Sequence, residues 1–241
     1  MSVKYGIRKL LQRSGWDIVR YDPSRDPWAW DRRMRLLADY ATTLVLDVGA
    51  NVGLYGKRLR DMGYRGNIIA FEPLTSAYAQ LVKNVAGDHS WKALKVALGS
   101  EDVDQTINIA ANLDSSSILG MLPAHLEAAP HSQYVGQERI TVRRLDTVIE
   151  GLYSHNDSIY LKIDTQGYEK HVIEGAEKTL AHIGTIQVEM SLTPLYQGGP
   201  LLDEMCELLH NKGYSLVSIE PGFSDKKTGR LLQVDGTFHR F

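Results

Sequence analysis

The stretch Thr43-Leu44-Val45-Leu46-Asp47-Val48-Gly49-Ala50-Asn51-Val52-Gly53 constrains this chain more than any other. An apolar run of strand length enters an acid, then a turn with a glycine two residues to either side of Asn51. Residues 54–62 follow with helical character. Strand, glycine turn and helix together expose bare backbone to a ligand at the edge of a parallel sheet. Glycine is needed there because a Cβ would block the approach or forbid the turn. Glycines also sit in such turns where nothing binds, so the acid has to narrow the choice. A dinucleotide lays a pyrophosphate on the turn, and Asp47 two residues upstream would repel it. A ligand carrying an ammonium and a sulfonium would be drawn in.

From Thr43 onward, apolar strand-like runs alternate with helical segments, the sign of a parallel sheet covered on both faces. A second strand, residues 67–73, ends in Glu72, and a helix over 75–85 follows. Residues 92–98 read as a third strand, 103–110 as a further one and 139–145 as another. Between them, residues 111–138 break the rhythm with Ser115-Ser116-Ser117, Pro123, a short helical piece around His125, Pro130, His131 and Tyr134. That is long for a connection, so the segment is expected to be either functional, as a substrate-side insertion, or partly mobile. Residues 159–164 read as the fourth core strand, 167–181 as a helix, 185–190 as the fifth strand and 201–211 as a helix. The last two strands, 214–220 and 230–240, are joined by a polar turn. Ahead of the alternation, residues 2–13 form a basic amphipathic helix, 22–27 a turn-rich break and 28–40 a second helix. Residues 1–41 are therefore expected to be an N-terminal helical cap on a main domain of residues 42–241.

With 241 residues the chain is long enough to bury one substantial core. Its hydrophobic and charged fractions, 43% and 23%, are those of an ordinary globular protein. A net charge of −2 gives no electrostatic case for nucleic acid or anionic membrane as the main partner. The single cysteine, Cys206, excludes an internal disulfide and fits a cytoplasmic setting. No apolar run of about 18 residues and no signal-peptide core occur, so no integral membrane segment is expected.

Glu72 lies about 25 residues beyond Asp47, near the spacing at which an acid accepts hydrogen bonds from a ribose diol. The stretch Leu161-Lys162-Ile163-Asp164-Thr165-Gln166-Gly167-Tyr168-Glu169 puts Asp164 at the carboxyl end of a core strand, where ligands of open α/β sheets sit. Glu189 ends the neighbouring strand, so two acids face one crevice. Lys162 is either their charge partner or a snorkelling core residue.

The order D-x-G-x-N-x-G resembles the first motif of class I S-adenosylmethionine (SAM) methyltransferases. Taken with Phe71-Glu72-Pro73, residues 161–169 and Gln187-Val188-Glu189, the chain is similar over roughly residues 43–220 to the FkbM family of SAM-dependent O-methyltransferases. The K-I-D-x-x-G-x-E element is the most specific part. The resemblance implies an α/β fold of the class I methyltransferase, Rossmann-like type. Its seven-stranded, mostly parallel sheet has order 3-2-1-4-5-7-6 and a C-terminal antiparallel hairpin. By matching position, Asp47, Gly49, Asn51, Gly53 and Glu72 would hold SAM, with Ala97 and Leu98 against the adenine. Asp164 would border the cofactor and, with Glu189, face the reaction. The family often has an acid where Gln166 stands, so no role is carried over to that position.

Methyl transfer to an aliphatic hydroxyl must deal with a proton held about as tightly as in water, pKa ~15.7. Either a carboxylate or a histidine takes it (Asp164, Glu189 and His125 are the candidates), or a divalent cation polarises the oxygen first. Asp164 and Glu189 would suit Mg²⁺, which prefers oxygen ligands, and the metal-assisted version is slightly favoured. His131, Tyr134, Tyr168 and Tyr196 are candidate substrate contacts. Asp114 and the serines after it would bound the pocket, and Asp146 would brace residues 147–150. The expected function is O-methylation of a sugar or oligosaccharide, as in polysaccharide biosynthesis. The alternatives are a polyketide or other secondary-metabolite acceptor, and a non-catalytic binding module. A nicotinamide-dependent oxidoreductase is disfavoured by Asp47 and Asn51. The cap makes a homodimer the expected assembly.

Overall fold

A computed structural model describes residues 3–17 and 28–241. The turn expected at residues 22–27 lies outside the described residues. In chain order, α1 (Val3–Arg13) and α2 (Ala29–Asp39) precede β1 (Leu44–Val48), α3 (Leu54–Met62), β2 (Asn67–Phe71), α4 (Thr75–Val85) and β3 (Trp91–Leu94). Then come β4 (Ala97–Leu98), β5 (Val103–Ala110), α5 (Pro123–Ala128), β6 (Tyr134–Arg143), α6 (Leu145–Val148) and β7 (Ile159–Ile163). Last are α7 (Glu169–Glu174), β8 (Ile183–Ser191), α8 (Leu202–Asn211), β9 (Ser215–Pro221) and β10 (Gln233–His239).

Every residue of β1 and of β7 is buried, as expected of mostly apolar strands covered on both faces, with Asp47 and Lys162 the charged exceptions. They pair in parallel at the centre of a seven-stranded sheet of order β3-β2-β1-β7-β8-β10-β9. Counted by core strand this is 3-2-1-4-5-7-6. β10 runs antiparallel to both β8 and β9, which is the terminal hairpin. The topology is that of the class I methyltransferase, Rossmann-like α/β fold. On one face of the sheet, Leu44, Leu46, Val48, Leu161, Ile163 and Val188 pack with Val172 of α7 and Leu209 of α8. On the other, Leu37 of α2 joins Val45, Leu59, Trp91 and Tyr160. Among the described residues, no helix is long and apolar enough to cross a membrane.

Four expectations are corrected. The third strand does not run through to residue 98. The Val96 N–H turns back onto the Leu94 carbonyl (3.1 Å), a tight turn that ends pairing with β2. Residues 97–98 become β4 of a separate three-stranded sheet of order β4-β6-β5. The long β5–β6 hairpin reaches back to Tyr134, so the end of the supposed insertion is strand. The helix expected over 167–181 is only α7, followed by a 3₁₀ turn at Thr179–His182. Asp146 opens that turn. It accepts from the Lys178 and Thr179 N–H groups and the Thr179 hydroxyl, instead of bracing residues 147–150.

Candidate functional site

The β1–α3 turn rests directly on the β7–α7 turn. Gly49 has φ +73°, and a Cβ there would lie 1.8 Å from the Asp164 carbonyl oxygen, so only glycine fits. Gly53 (φ +85°) seats the turn on α4, since a Cβ would come within 2.7 Å of Leu81 Cδ1. It does not line the cleft. Asn51 between them, at φ 48°, aims its N–H at Glu72 Oε2 (2.8 Å), and the Leu74 N–H donates to Glu72 Oε1 (2.8 Å). Burial pushes the Glu72 pKa up to about 7 in spite of these two bonds.

The turns border a cleft whose empty space, its open mouth included, is about 610 Å³. One wall is apolar: Phe71, Leu74, Val96, Ala97, Leu98 and the Tyr168 ring. The lining also carries a polar set: Gly49, Asn51, Asp114, Asp164 and Gln166. Ala97, Leu98, Gly49, Asn51, Glu72 and Asp164 are thus all brought to the lining of this one cleft.

Asp47 does not, which corrects its expected contact with the cofactor. It is fully buried beneath the turn, with Lys162 Nζ 3.2 Å from its Oδ1. The pairing is electrostatic, since neither Asp47 oxygen takes part in a well-formed hydrogen bond. The same ammonium lies 3.5 Å from Asp164 Oδ2 and donates to the carbonyls of Val48 (3.4 Å) and Gly49 (3.3 Å). Lys162 is therefore a charge partner. One cation between two carboxylates leaves negative charge over, and it faces the cleft at Asp164, whose side chain is 37% exposed. The carboxylate that the cleft exposes is thus Asp164, not the buried Asp47.

Gln166 is the residue the sequence reading passed over. Held at φ 56°, it sends its amide nitrogen to Asp164 Oδ1 and Glu189 Oε2, both at 2.8 Å. Its Oε1 accepts from the Tyr196 hydroxyl at 2.6 Å, which fixes the amide orientation. Gln233 Nε2 donates to Glu189 Oε2 at 2.6 Å, and the Ser117 hydroxyl donates to the Gln166 carbonyl at 2.7 Å. The available signal was a long polar side chain at the apex of the Asp164–Gly167 turn, where the resemblance leads one to look for an acid.

Asp164 and Glu189 are indeed brought together, bridged by one amide. That donor set does not fit a divalent cation. Gln166 and Gln233 amides occupy Glu189 Oε2, and the Lys162 ammonium sits beside Asp164. Among the described residues, no group of three His, Cys, Asp or Glu is placed to hold a metal ion. His125 is corrected too. It is buried with its ring 5.2 Å from that of Tyr196 and 5.1 Å from that of Phe223, away from the cleft lining, and burial lowers its pKa to about 4. His131 is exposed in a 3₁₀ turn. Tyr134 bonds the Leu119 carbonyl (2.8 Å), and Tyr196 is buried behind Gln166. Of the four expected substrate contacts only Tyr168 lines the cleft, its ring stacked on His171 at 4.1 Å.

A family model described as the methyltransferase FkbM domain matches residues 47–216. The 2-O-methyltransferase NoeI of Sinorhizobium fredii (strain NBRC 101917 / NGR234) is 26% identical over 187 residues, 74% of this chain and 75% of that protein. Among solved structures, TehB from Haemophilus influenzae aligns over 88% of this chain with 9% identity and a TM-score of 0.48. This chain spans 62% of TehB's length. A SAM dependent methyltransferase from Aquifex aeolicus aligns over 91% of this chain and 98% of its own, with 14% identity and a TM-score of 0.43.

Proposed function

Because the chain belongs to the FkbM methyltransferase family, we propose that it is a SAM-dependent O-methyltransferase acting on a hydroxyl of a sugar or oligosaccharide. The cleft suits SAM on its own chemistry. Ala97, Leu98 and Val96 offer an apolar shelf for a purine. Glu72 keeps a second lone pair on each oxygen for a ribose diol, and Asp164 supplies negative charge beside the glycine turn. When bound, SAM supplies a methyl group already made electrophilic by its sulfonium. What remains for the protein is alignment of the acceptor and removal of one proton.

The observation that carries this reading is the amide-bridged pair Asp164 and Glu189, at the carboxyl ends of adjacent strands beside the cleft. Burial, and then the charges of Asp164, Asp235 and Glu169, push the Glu189 pKa well above the carboxylate range. A glutamate shifted this way is the stronger base only in its ionised form, so turnover should rise with pH as that form is populated. In this reading Glu189 takes the hydroxyl proton and Asp164 orients the hydroxyl. Planar carboxylate and amide groups also match the alternating donors and acceptors of a sugar ring. NoeI is a 2-O-methyltransferase, which supports oxygen as the receiving atom.

The test is incubation with isotope-labelled SAM and parallel panels of sugars, oligosaccharides, phenols and polyketide-type alcohols, read by mass spectrometry. A labelled methyl ether on a carbohydrate is the expected product, and chelator should leave its formation unchanged. Label on nitrogen or carbon, or on the non-sugar panels alone, would overturn the acceptor class.

A further inference from the structure

Four non-glycine residues among those described have positive φ, and three of them line this one cleft: Asn51 (48°), Leu113 (60°) and Gln166 (56°). L-residues rarely adopt that backbone state, and it gathers where a side chain must be aimed. At Leu113 it turns the next residue, Asp114, across the mouth toward the glycine turn. Asp114 Oδ1 accepts from Asn51 Nδ2 at 2.5 Å.

The balance of donors and acceptors there is one-sided. Asn51 Oδ1 is buried with no donor. Among the described residues, no lysine or arginine is paired with Asp114, and the charged group acting on it is another carboxylate, Asp164, across the cleft. Asp164 itself shares the Lys162 ammonium with Asp47, and no other among the described residues is paired with it. Two carboxylates and an orphaned amide oxygen thus converge without a matching cation. A primary ammonium, with three N–H donors and a full positive charge, meets all of those needs. A phosphate or a neutral sugar edge meets none of the charge.

Resting on the reading that the cleft takes SAM, we propose that Asp114, together with Asn51 Oδ1, binds the α-ammonium of the cofactor's methionine tail. The 111–118 segment would then contribute to holding the methyl donor, in place of the acceptor-side role expected from the sequence.

The test is calorimetry on the full chain with SAM, S-adenosylhomocysteine and 5′-methylthioadenosine, the last lacking the amino-acid tail. Wild type is compared with Asp114→Asn and Asp114→Ala. Both variants should bind the two tailed ligands at least about tenfold more weakly and bind 5′-methylthioadenosine as wild type does, which also shows that they fold. Unchanged affinity for the tailed ligands overturns the assignment. So does an equal loss for all three, or a loss for SAM alone, which would place the carboxylate at the sulfonium. If wild type binds none of the three, the SAM reading itself fails.

Discussion

Below about pH 6.5 the buried imidazole of His125 works against the fold. Its Nδ1 has no partner, and burial lowers its pKa to about 4. The unfolded chain takes up the proton at an ordinary histidine pKa, ~6.5, whereas the folded chain resists it until about 4. Stability is therefore lost as pH falls through that window, by at most about 1.4 kcal/mol per pH unit. The melting temperature of His125→Phe, which preserves the ring packing, should fall less steeply than that of wild type between pH 7 and 4.5. Parallel curves would refute the burial argument. At this scale, residue type was legible in the sequence and depth was not. Asp47, His125 and Tyr196 all have side chains able to do chemistry, yet each serves packing or anchoring. Gln166 has the less reactive group and stands at the hub, because adjacency across β7 and β8 is a tertiary fact that spacing along the chain does not encode.

Among the elements, the joint between the two sheets runs through the start of α4. Its N-cap residue, Leu74, has no side chain to offer. Glu138 of β6 does the work from outside, accepting the Thr75 N–H at 3.1 Å and the Thr75 hydroxyl, with Lys95 Nζ 3.8 Å away. A carboxylate there also meets the positive end of the helix dipole. Glu138→Ala should cost about 1 kcal/mol, as loss of a helix cap does, while leaving SAM affinity unaltered. A urea midpoint equal to that of wild type would show the joint to be idle. The core strands were readable because burial on both faces writes an apolar run into β1, β2 and β7. The second sheet was not, since β4 has two residues and β5 and β6 carry mixed, half-exposed faces whose pairing depends on a distant partner.

For the molecule as a whole, the N-terminal helix α2 is held to the C-terminal hairpin by charge. Arg33, 4% exposed, lies 2.5 Å from Glu220 of β9 and 3.8 Å from Asp235 of β10, with Trp30 stacked over its guanidinium at 4.5 Å. Arg33→Ala removes that cation from a buried carboxylate and should destabilise the fold by about 3–5 kcal/mol. Denaturant titration showing a loss under about 1 kcal/mol would mean the hairpin seats itself without α2. Beside this clasp, Tyr55 and Tyr160 both donate to Gln187 Oε1 (2.8 and 2.9 Å), so polar groups continue beneath the sheet to Lys162. That lysine is the keel shared by two parts of the cleft. It steadies both the first glycine bend and Asp164, so under the proposed function the donor's seat and the acceptor's acid cannot be retuned independently. Across relatives, positions 47 and 162 should accordingly change hands as a couple: a lineage that surrenders the acid of the first bend would have to give up the lysine as well.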